Sequence, residues 1–254
     1  MCRTPPSTAK RRARCRRSRK EHPLHRIAAL ASRRPRSASP ETVDTLVLLA
    51  GVGAQGDRHA DPLSPRQVLL ADASTYRRLG LPAHALRENL LVDGDVARLA
   101  SGTVLHVGAS ALLRLMFACE ACGQLDLRQA GLAGRVGNER GVLAQVIRGG
   151  VVGQGDAVTD LGVLLPAWPD DWRARIHLVL DAMPPGFVIE NARLAHLAGI
   201  QSTYCRAFPR VLAKLGFQYA AKVVAAKSPS TLPRWSGAGL FDLLPAQLAR
   251  LPSA

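Results

Sequence analysis

Two cysteines three positions apart are the residues of this chain best suited to chemistry. They lie in Cys119-Glu120-Ala121-Cys122, after the apolar run 111–117 and before the turn-rich stretch 123–141. Thiols at the exit of a strand can hold a soft metal, carry a persulfide or form a redox pair, and in each case the thiolate is the working form. Zinc would need two further ligands. Neither a second Cys-x-x-Cys nor a closely spaced histidine pair follows, and Cys205 and His106 are isolated. A thioredoxin-like pair would place the first cysteine at a helix N-terminus in a β-α-β setting, which the flanks do not supply.

Gly51-Val52-Gly53-Ala54-Gln55-Gly56 matches a dinucleotide-binding fingerprint and follows a strand-like run. That chemistry requires a helix opening directly from the glycines, with its amides facing a pyrophosphate. Residues 57–66 instead contain Pro62 and Pro65, each of which costs a helix interior about 3 kcal/mol or more. The glycines are expected to shape a strand-to-loop turn.

The 254 residues suffice for one large domain or two ordinary ones. Hydrophobic residues make up 47% and aromatics 4%, so Leu, Val and Ala must build the core. No run approaches the roughly 20 apolar residues of a membrane helix, and no membrane association is expected. Five cysteines without a framework spacing point to a reducing compartment, the cytoplasm. The net charge of +15 is a property of the N-terminus: residues 1–36 hold 13 Lys and Arg against Glu21, leaving 21 basic and 18 acidic residues elsewhere. Residues 1–21 are expected to be a disordered basic tail. A solvated tail, an organelle transit segment (which would place the protein in an organelle matrix), a nucleic-acid-binding arm and an unused upstream start all suit its composition. The apolar run 27–31 is too short for a secretory signal.

Short strands are expected over residues 42–50, 67–71, 103–107, 111–117, 142–147 and 157–165, with one helix over 73–79 ended by Gly80 and Pro82. Many short strands between turns argue for a barrel or sandwich. After Pro166 the pattern changes. Trp172, Ile176, Val179, Leu180 and Met183 line one face of a helix that Asp170 could cap. Further helices are expected over 191–198 and from Ser202 to Gly216, then a strand over 220–226. The expected division is a tail over 1–21, a β domain over 22–165 and a small α-rich module over 166–245.

Six short stretches occur in order: Gly56-Asp57-Arg58-His59-Ala60, Arg66-Gln67-Val68, Arg87-Glu88-Asn89-Leu90, Cys119-x-x-Cys122, Arg140-Gly141-Val142, and Gly149-Gly150-Val151-Val152-Gly153-Gln154-Gly155-Asp156. From about His25 to Val158 the chain resembles a MOSC domain, named for the C-terminal domain of molybdenum cofactor sulfurase. The resemblance implies an α+β, mainly β fold, a β-barrel with one essential cysteine. In the family pattern that cysteine is the second of a Cys-x-Pro-Cys stretch, here Cys122, with Ala121 where proline is common. It further implies that this thiolate either ligates the molybdenum of molybdopterin, in members that reduce N-hydroxylated compounds, or carries sulfur from a donor protein as a persulfide. No bound pyridoxal phosphate is expected, since the sulfurases keep it on a separate domain for which this chain has no room.

The expected site is therefore Cys122 and Cys119 for catalysis, with Cys122 as the metal ligand. Arg58, His59 and Arg66 supply positive charge or hold a pterin phosphate, with Arg suited to bidentate contacts. Gln67, Glu88 and Asn89 complete the cofactor set, Gln67 and Asn89 presenting amides to the ring. Each has a plainer alternative: Asp57 and Arg58 pairing across a turn, Glu88 and Asn89 satisfying local backbone, Cys119 filling the core.

A second series, Met183-Pro184-Pro185-Gly186-Phe187-Val188, Arg193-Leu194-Ala195-His196-Leu197-Ala198-Gly199 and Cys205-Arg206-Ala207-Phe208, resembles the winged-helix DNA-binding domain of alkylguanine-DNA alkyltransferases over residues 172–239. Arg206 falls where that family's arginine replaces a flipped base. The reactive Pro-Cys-His-Arg stretch is replaced by Tyr219-Ala220-Ala221-Lys222, which excludes alkyl transfer, and Asn191 stands where a tyrosine is usual. Pro209 requires the recognition helix to kink or start later. Arg193, Arg206, Arg210 and Lys214 are the candidate phosphate contacts, for DNA or, alternatively, a docking surface for a protein partner. The two functional expectations are a molybdenum-cofactor enzyme or sulfur carrier acting on a small molecule, and a non-catalytic adaptor that senses the cofactor.

Overall fold

The computed structural model describes residues 23–34, 39–127 and 129–253; the basic tail lies outside them. The chain begins with β1 (Pro23–Ser32), β2 (Glu41–Val43), β3 (Thr45–Leu49), β4 (Gly53–Ala54), β5 (Val68–Asp72), α1 (Ala73–Leu79) and β6 (Leu90–Val92). It continues through β7 (Thr103–Val107), β8 (Ala111–Ala118), α2 (Gly123–Asp126), α3 (Leu132–Val136), β9 (Val142–Arg148), β10 (Gly150–Gly153) and β11 (Ala157–Val163). The main sheet runs β11-β7-β8-β9-β5-β6-β1 and closes through β1 against β11, a seven-stranded barrel with β2 appended to β1. All neighbours are antiparallel except β5 and β6, which α1 joins as a parallel crossover. A smaller sheet, β10-β3-β4, packs beside it.

The interior is aliphatic, as the scarcity of aromatics requires: Leu30, Leu70, Leu90, Leu113, Leu115 and Val146 meet there. Strands β5 and β8 are buried over nearly their whole length, unlike half-exposed β3, which alternates. Their second face explains this. Leu69, Met116, Phe117 and Leu143 turn outward into a second apolar cluster shared with the C-terminal helices. Strands buried on both faces read as near-continuous apolar runs, and the runs at 67–71 and 111–117, polar only at Gln67 and Arg114, have this origin. The helix over 73–79 forms as expected, closed by Gly80 in a left-handed conformation (φ 60°).

Beyond Pro166 come α4 (Trp172–Ala182), β12 (Ile189–Glu190), α5 (Asn191–Leu197), α6 (Phe208–Leu215), α7 (Phe217–Ala220), β13 (Val223–Val224) and α8 (Pro245–Leu248). Asp171, not Asp170, caps α4, accepting from the Arg173 amide. Asp170 instead accepts from the Ala118 amide (2.8 Å), tying the module to the end of β8. Pro209 is accommodated because residues 202–207 form a tight 3-10 turn and α6 starts afterwards, with Pro209 in its first turn. The strand expected over 220–226 shortens to β13, paired in parallel with β12. The helices have no core separate from the barrel: Trp172, Ile176, Leu194 and Phe208 share one cluster with Phe117 and Cys119. Among the described residues no helix is long and apolar enough to cross a membrane.

Two strands lay outside the expectations from the sequence. The run at 27–31 belongs to β1, whose closure against β11 completes the barrel, and the segment 90–92 forms β6. The Gly51–Gly56 stretch turns out of β3 over residues 50–52, runs through β4 and turns again at 55–56, and no helix follows until α1.

Candidate functional site

Strand β8 ends at Ala118, and the next four residues carry the two thiols. The Cys119 amide bonds to the Gly141 carbonyl (2.8 Å), holding the start of the loop against the approach to β9. Gly141 must be glycine: at φ 124° a Cβ would stand 2.0 Å from the Leu70 carbonyl oxygen. This close approach places Arg140 beside the cysteine loop. Its guanidinium donates to the Glu120 carbonyl (2.8 Å) and to Cys122 Sγ (3.2 Å). Cys122 is half-buried and precedes α2 in extended conformation, whereas Cys119 is buried (2% exposed).

Cys122 and Cys119 line a cavity of about 330 Å³ with Arg33, Arg58, His59, Arg66, Arg87 and Arg140. The rest of its wall is Leu69, Gln124, Leu143, Ile200 and Gln201. Five guanidiniums and no carboxylate make it a site for an anion. Arg66 donates to the Gly199 carbonyl (2.9 Å) and approaches Cys119 Sγ (3.8 Å). Burial, with Arg33, Arg58 and Arg66 close by, pushes His59 down to about 3 despite the counter-pull of Asp57. It is thus a neutral hydrogen-bonding group at pH 7, not the source of positive charge expected of it.

The structure brings Cys119, Cys122, Arg58, His59 and Arg66 together, and leaves Gln67, Glu88 and Asn89 off the cavity wall. Asn89 accepts from Arg33 Nη2 (2.7 Å) and the Leu69 amide (3.1 Å) and donates to Asp57 (2.8 Å) and the Ala31 carbonyl (3.2 Å). Gln67 donates to the Gly51 and Asp61 carbonyls and accepts from the Val146 amide. Glu88 accepts from the Tyr76 hydroxyl and pairs with His84. Amides spent on backbone and neighbours cannot also meet a ring; these residues shape the wall from behind. Cys119 likewise packs among Phe117 and Leu143.

Asp57 pairs with Arg33 rather than Arg58, and its other oxygen accepts from the His59 amide (2.9 Å). The Asp57–Arg33–Asn89 network therefore fixes both the Gly56–Ala60 turn and an arginine of the cavity. Burial lowers Arg33, with Asp57 opposing. Arg33 was hidden in the count of N-terminal arginines; its signal is its position directly after the apolar run of β1. Arg87 and Arg140 lay within the quoted motifs, while Gln124, Ile200 and Gln201 had no sequence signal. Among the described residues no three His, Cys, Asp or Glu side chains converge as ligands for a metal ion.

None of the four candidate phosphate contacts lines this cavity. Arg193 is on α5; Arg206, Arg210 and Lys214 are exposed along the 3-10 turn and α6.

Residues 64–159 match the family model of the MOSC domain, which bears out the resemblance over that span. No curated protein matches in sequence. Among solved structures, the chain is similar to the YUAD protein from Bacillus subtilis (20% identity, 54% of this chain and 94% of that one, TM-score 0.47). It is also similar to YiiM from Geobacillus stearothermophilus (14% identity, 74% and 99%, TM-score 0.48) and YiiM from Escherichia coli (19% identity, 74% and 94%, TM-score 0.46).

Proposed function

We propose that this protein works in molybdenum cofactor chemistry, with Cys122 as the sulfur that meets the metal. One observation carries the reading: a half-buried thiol accepts an arginine N–H inside a cavity with five guanidiniums and no carboxylate. The donor set fits the group. Thiolate is a soft ligand for molybdenum, and clustered arginines suit a pterin phosphate. Arg58, Arg66 and Arg87 would hold that phosphate, and Gln124 and Gln201, not Gln67 and Asn89, would offer amides to the ring. When bound, the cofactor supplies two-electron redox chemistry for a small-molecule substrate, with reduction of N-hydroxylated compounds as the reaction the family implies. Arg140 holds the sulfur in place, neutral His59 exchanges hydrogen bonds, and Leu69, Leu143 and Ile200 limit water.

The same sulfur suits a carrier role. There the Cys122 thiolate attacks the outer sulfur of a donor persulfide, a new S–S bond forms, and the donor thiolate leaves. Purified protein is expected to carry stoichiometric molybdenum that Cys122→Ser loses, while the variant melts at the temperature of metal-free wild type. Metal-free protein whose Cys122 takes up persulfide sulfur selects the carrier; protein that does neither refutes both. The adaptor reading draws on the four-residue spacing of exposed Arg206, Arg210 and Lys214. It requires duplex DNA binding that weakens with salt.

A further inference from the structure

Thr42, His84 and Glu88 play no part in the chemistry above, yet they form a hydrogen-bonded chain, and none of them lines the arginine cavity. Thr42 stands on β2, paired with Ala31 of β1. His84 and Glu88 belong to the segment between α1 and β6, where a turn over residues 83–86 brings them together. His84 Nε2 lies 2.9 Å from Thr42 Oγ1, and His84 Nδ1 lies 3.1 Å from Glu88 Oε1. The other carboxylate oxygen accepts from the Tyr76 hydroxyl (2.5 Å), which itself accepts from the Leu86 amide (3.0 Å).

Burial gives this chain a direction. Glu88, Tyr76 and His84 are buried, and Thr42 is exposed. The Glu88 carboxylate, held by Tyr76, takes the Nδ1 proton of His84, which leaves the Nε2 lone pair facing the threonine hydroxyl. A carboxylate, an imidazole and a hydroxyl in that order make the arrangement that turns an alcohol into a nucleophile. The backbone is also strained here. His84 (φ 56°) and Arg87 (φ 64°) are the only non-glycine residues with positive φ among the described residues, and such conformations concentrate at functional sites. A cavity of about 600 Å³ adjoins the chain. Ser39, three residues before Thr42, and Ala83 and Ala85, on either side of His84, line it together with Leu132, Arg58 and Arg87.

We propose that this is a second active site, an esterase centre with Thr42 as nucleophile and His84 as general base. It takes a small ester that carries an anionic group, which Arg58 and Arg87 attract. Thr42 Oγ1 bonds to the acyl carbon while its proton passes to His84 Nε2. The bond from that carbon to the alcohol oxygen breaks, and the alcohol leaves with the proton. Water then repeats the exchange: its oxygen bonds to the acyl carbon, its proton reaches Nε2, and Thr42 Oγ1 leaves and recovers it. Glu88 is a positioning residue that holds the imidazole in the working tautomer. No step involves Cys122, so the assignment stands apart from the cofactor reading.

The test incubates the full chain with para-acetoxybenzoate or with its methyl ester, which lacks the charge, and follows the phenol released. Peptide mass spectrometry after an acid quench locates the acetyl group. Wild type is expected to turn over, to carry acetyl on the Thr42 peptide, and to prefer the anionic ester severalfold. Thr42→Val and His84→Asn, the latter suited to positive φ, should each lower the rate about 100-fold or more, and Thr42→Ser should retain it. Glu88→Gln should move the pH profile of the rate to lower pH, because the imidazole loses a neighbouring negative charge. Loss of folded protein would scale that profile without moving it. Equal rates in wild type, Thr42→Val and His84→Asn, or acetyl groups only on cysteine and lysine peptides, overturn the esterase assignment. Equal rates on the two esters overturn the anionic substrate class.

Discussion

Gly199 is where the C-terminal module meets the barrel, and replacing it with alanine tests that junction. Its φ is 66°, and a Cβ would stand 2.6 Å from Phe117 Cζ and 2.8 Å from Pro65 Cγ. The left-handed backbone costs an L-residue about 1–2 kcal/mol. Forcing a methyl into a packed ring and proline adds about 1–3 kcal/mol. The sum, about 2–5 kcal/mol, corresponds to roughly 5–20 °C in melting temperature for a chain of this size. Gly186→Ala is the control, because Gly186 also has positive φ (80°) but nothing within 4 Å of its Cβ. It should lose only the backbone part, about 1–2 kcal/mol or roughly 2–8 °C. Calorimetry on both variants reads the difference, and Gly199→Ala should also change Cys122 alkylation because Ile200 and Gln201, next in the chain, form cavity wall. Equal losses in the two variants would refute the packing of the module against Phe117.

His59→Gln should flatten the acid side of the stability curve. The folded-state value of about 3 lies below the ordinary 6.5, so between these the unfolded chain binds the proton and stability falls as pH falls. From pH 6.5 to 5 the wild-type loss at this residue is about 2 kcal/mol. Asp72, pushed up to about 6 by burial, has the opposite slope but is common to both proteins and cancels in the difference. Denaturant midpoints at pH 7 and pH 5 that shift alike in wild type and variant would contradict this. Asn89→Ala should cost about 2–4 kcal/mol, since it takes this acceptor from Arg33 Nη2 and the Leu69 amide in a buried site. Chemical denaturation measures it, and a loss below about 0.5 kcal/mol would show the network to be dispensable.

The apolar runs at 67–71, 111–117 and 142–147 were legible as strands because burial on both sides leaves only Gln67, Arg114 and Gln145 as polar residues in them. The helix at 73–79 was legible because its periodicity ends at a glycine that can adopt positive φ. Strand β1 was not, since its short apolar run adjoins an arginine-rich segment whose composition dominates any local reading. Cys122, Arg58 and Arg66 could be singled out from motif order. Gln67, Glu88 and Asn89 come from the same motifs, yet only coordinates distinguish a motif residue that faces a cavity from one that buttresses it. Adjacent side chains leave the backbone in different directions, and the Asp57–Arg33–Asn89 network joins residues up to 56 positions apart.

Local chemistry is written along the chain: which residue types are available, where the backbone turns, and that a thiol follows a strand among arginines. How that thiol is walled in depends on a docking event between segments 82 and 133 positions apart. The Gly199–Phe117 contact and the Arg66 bond to the Gly199 carbonyl decide it. No local preference encodes such a contact, because its energy exists only once both surfaces have left water and packed together.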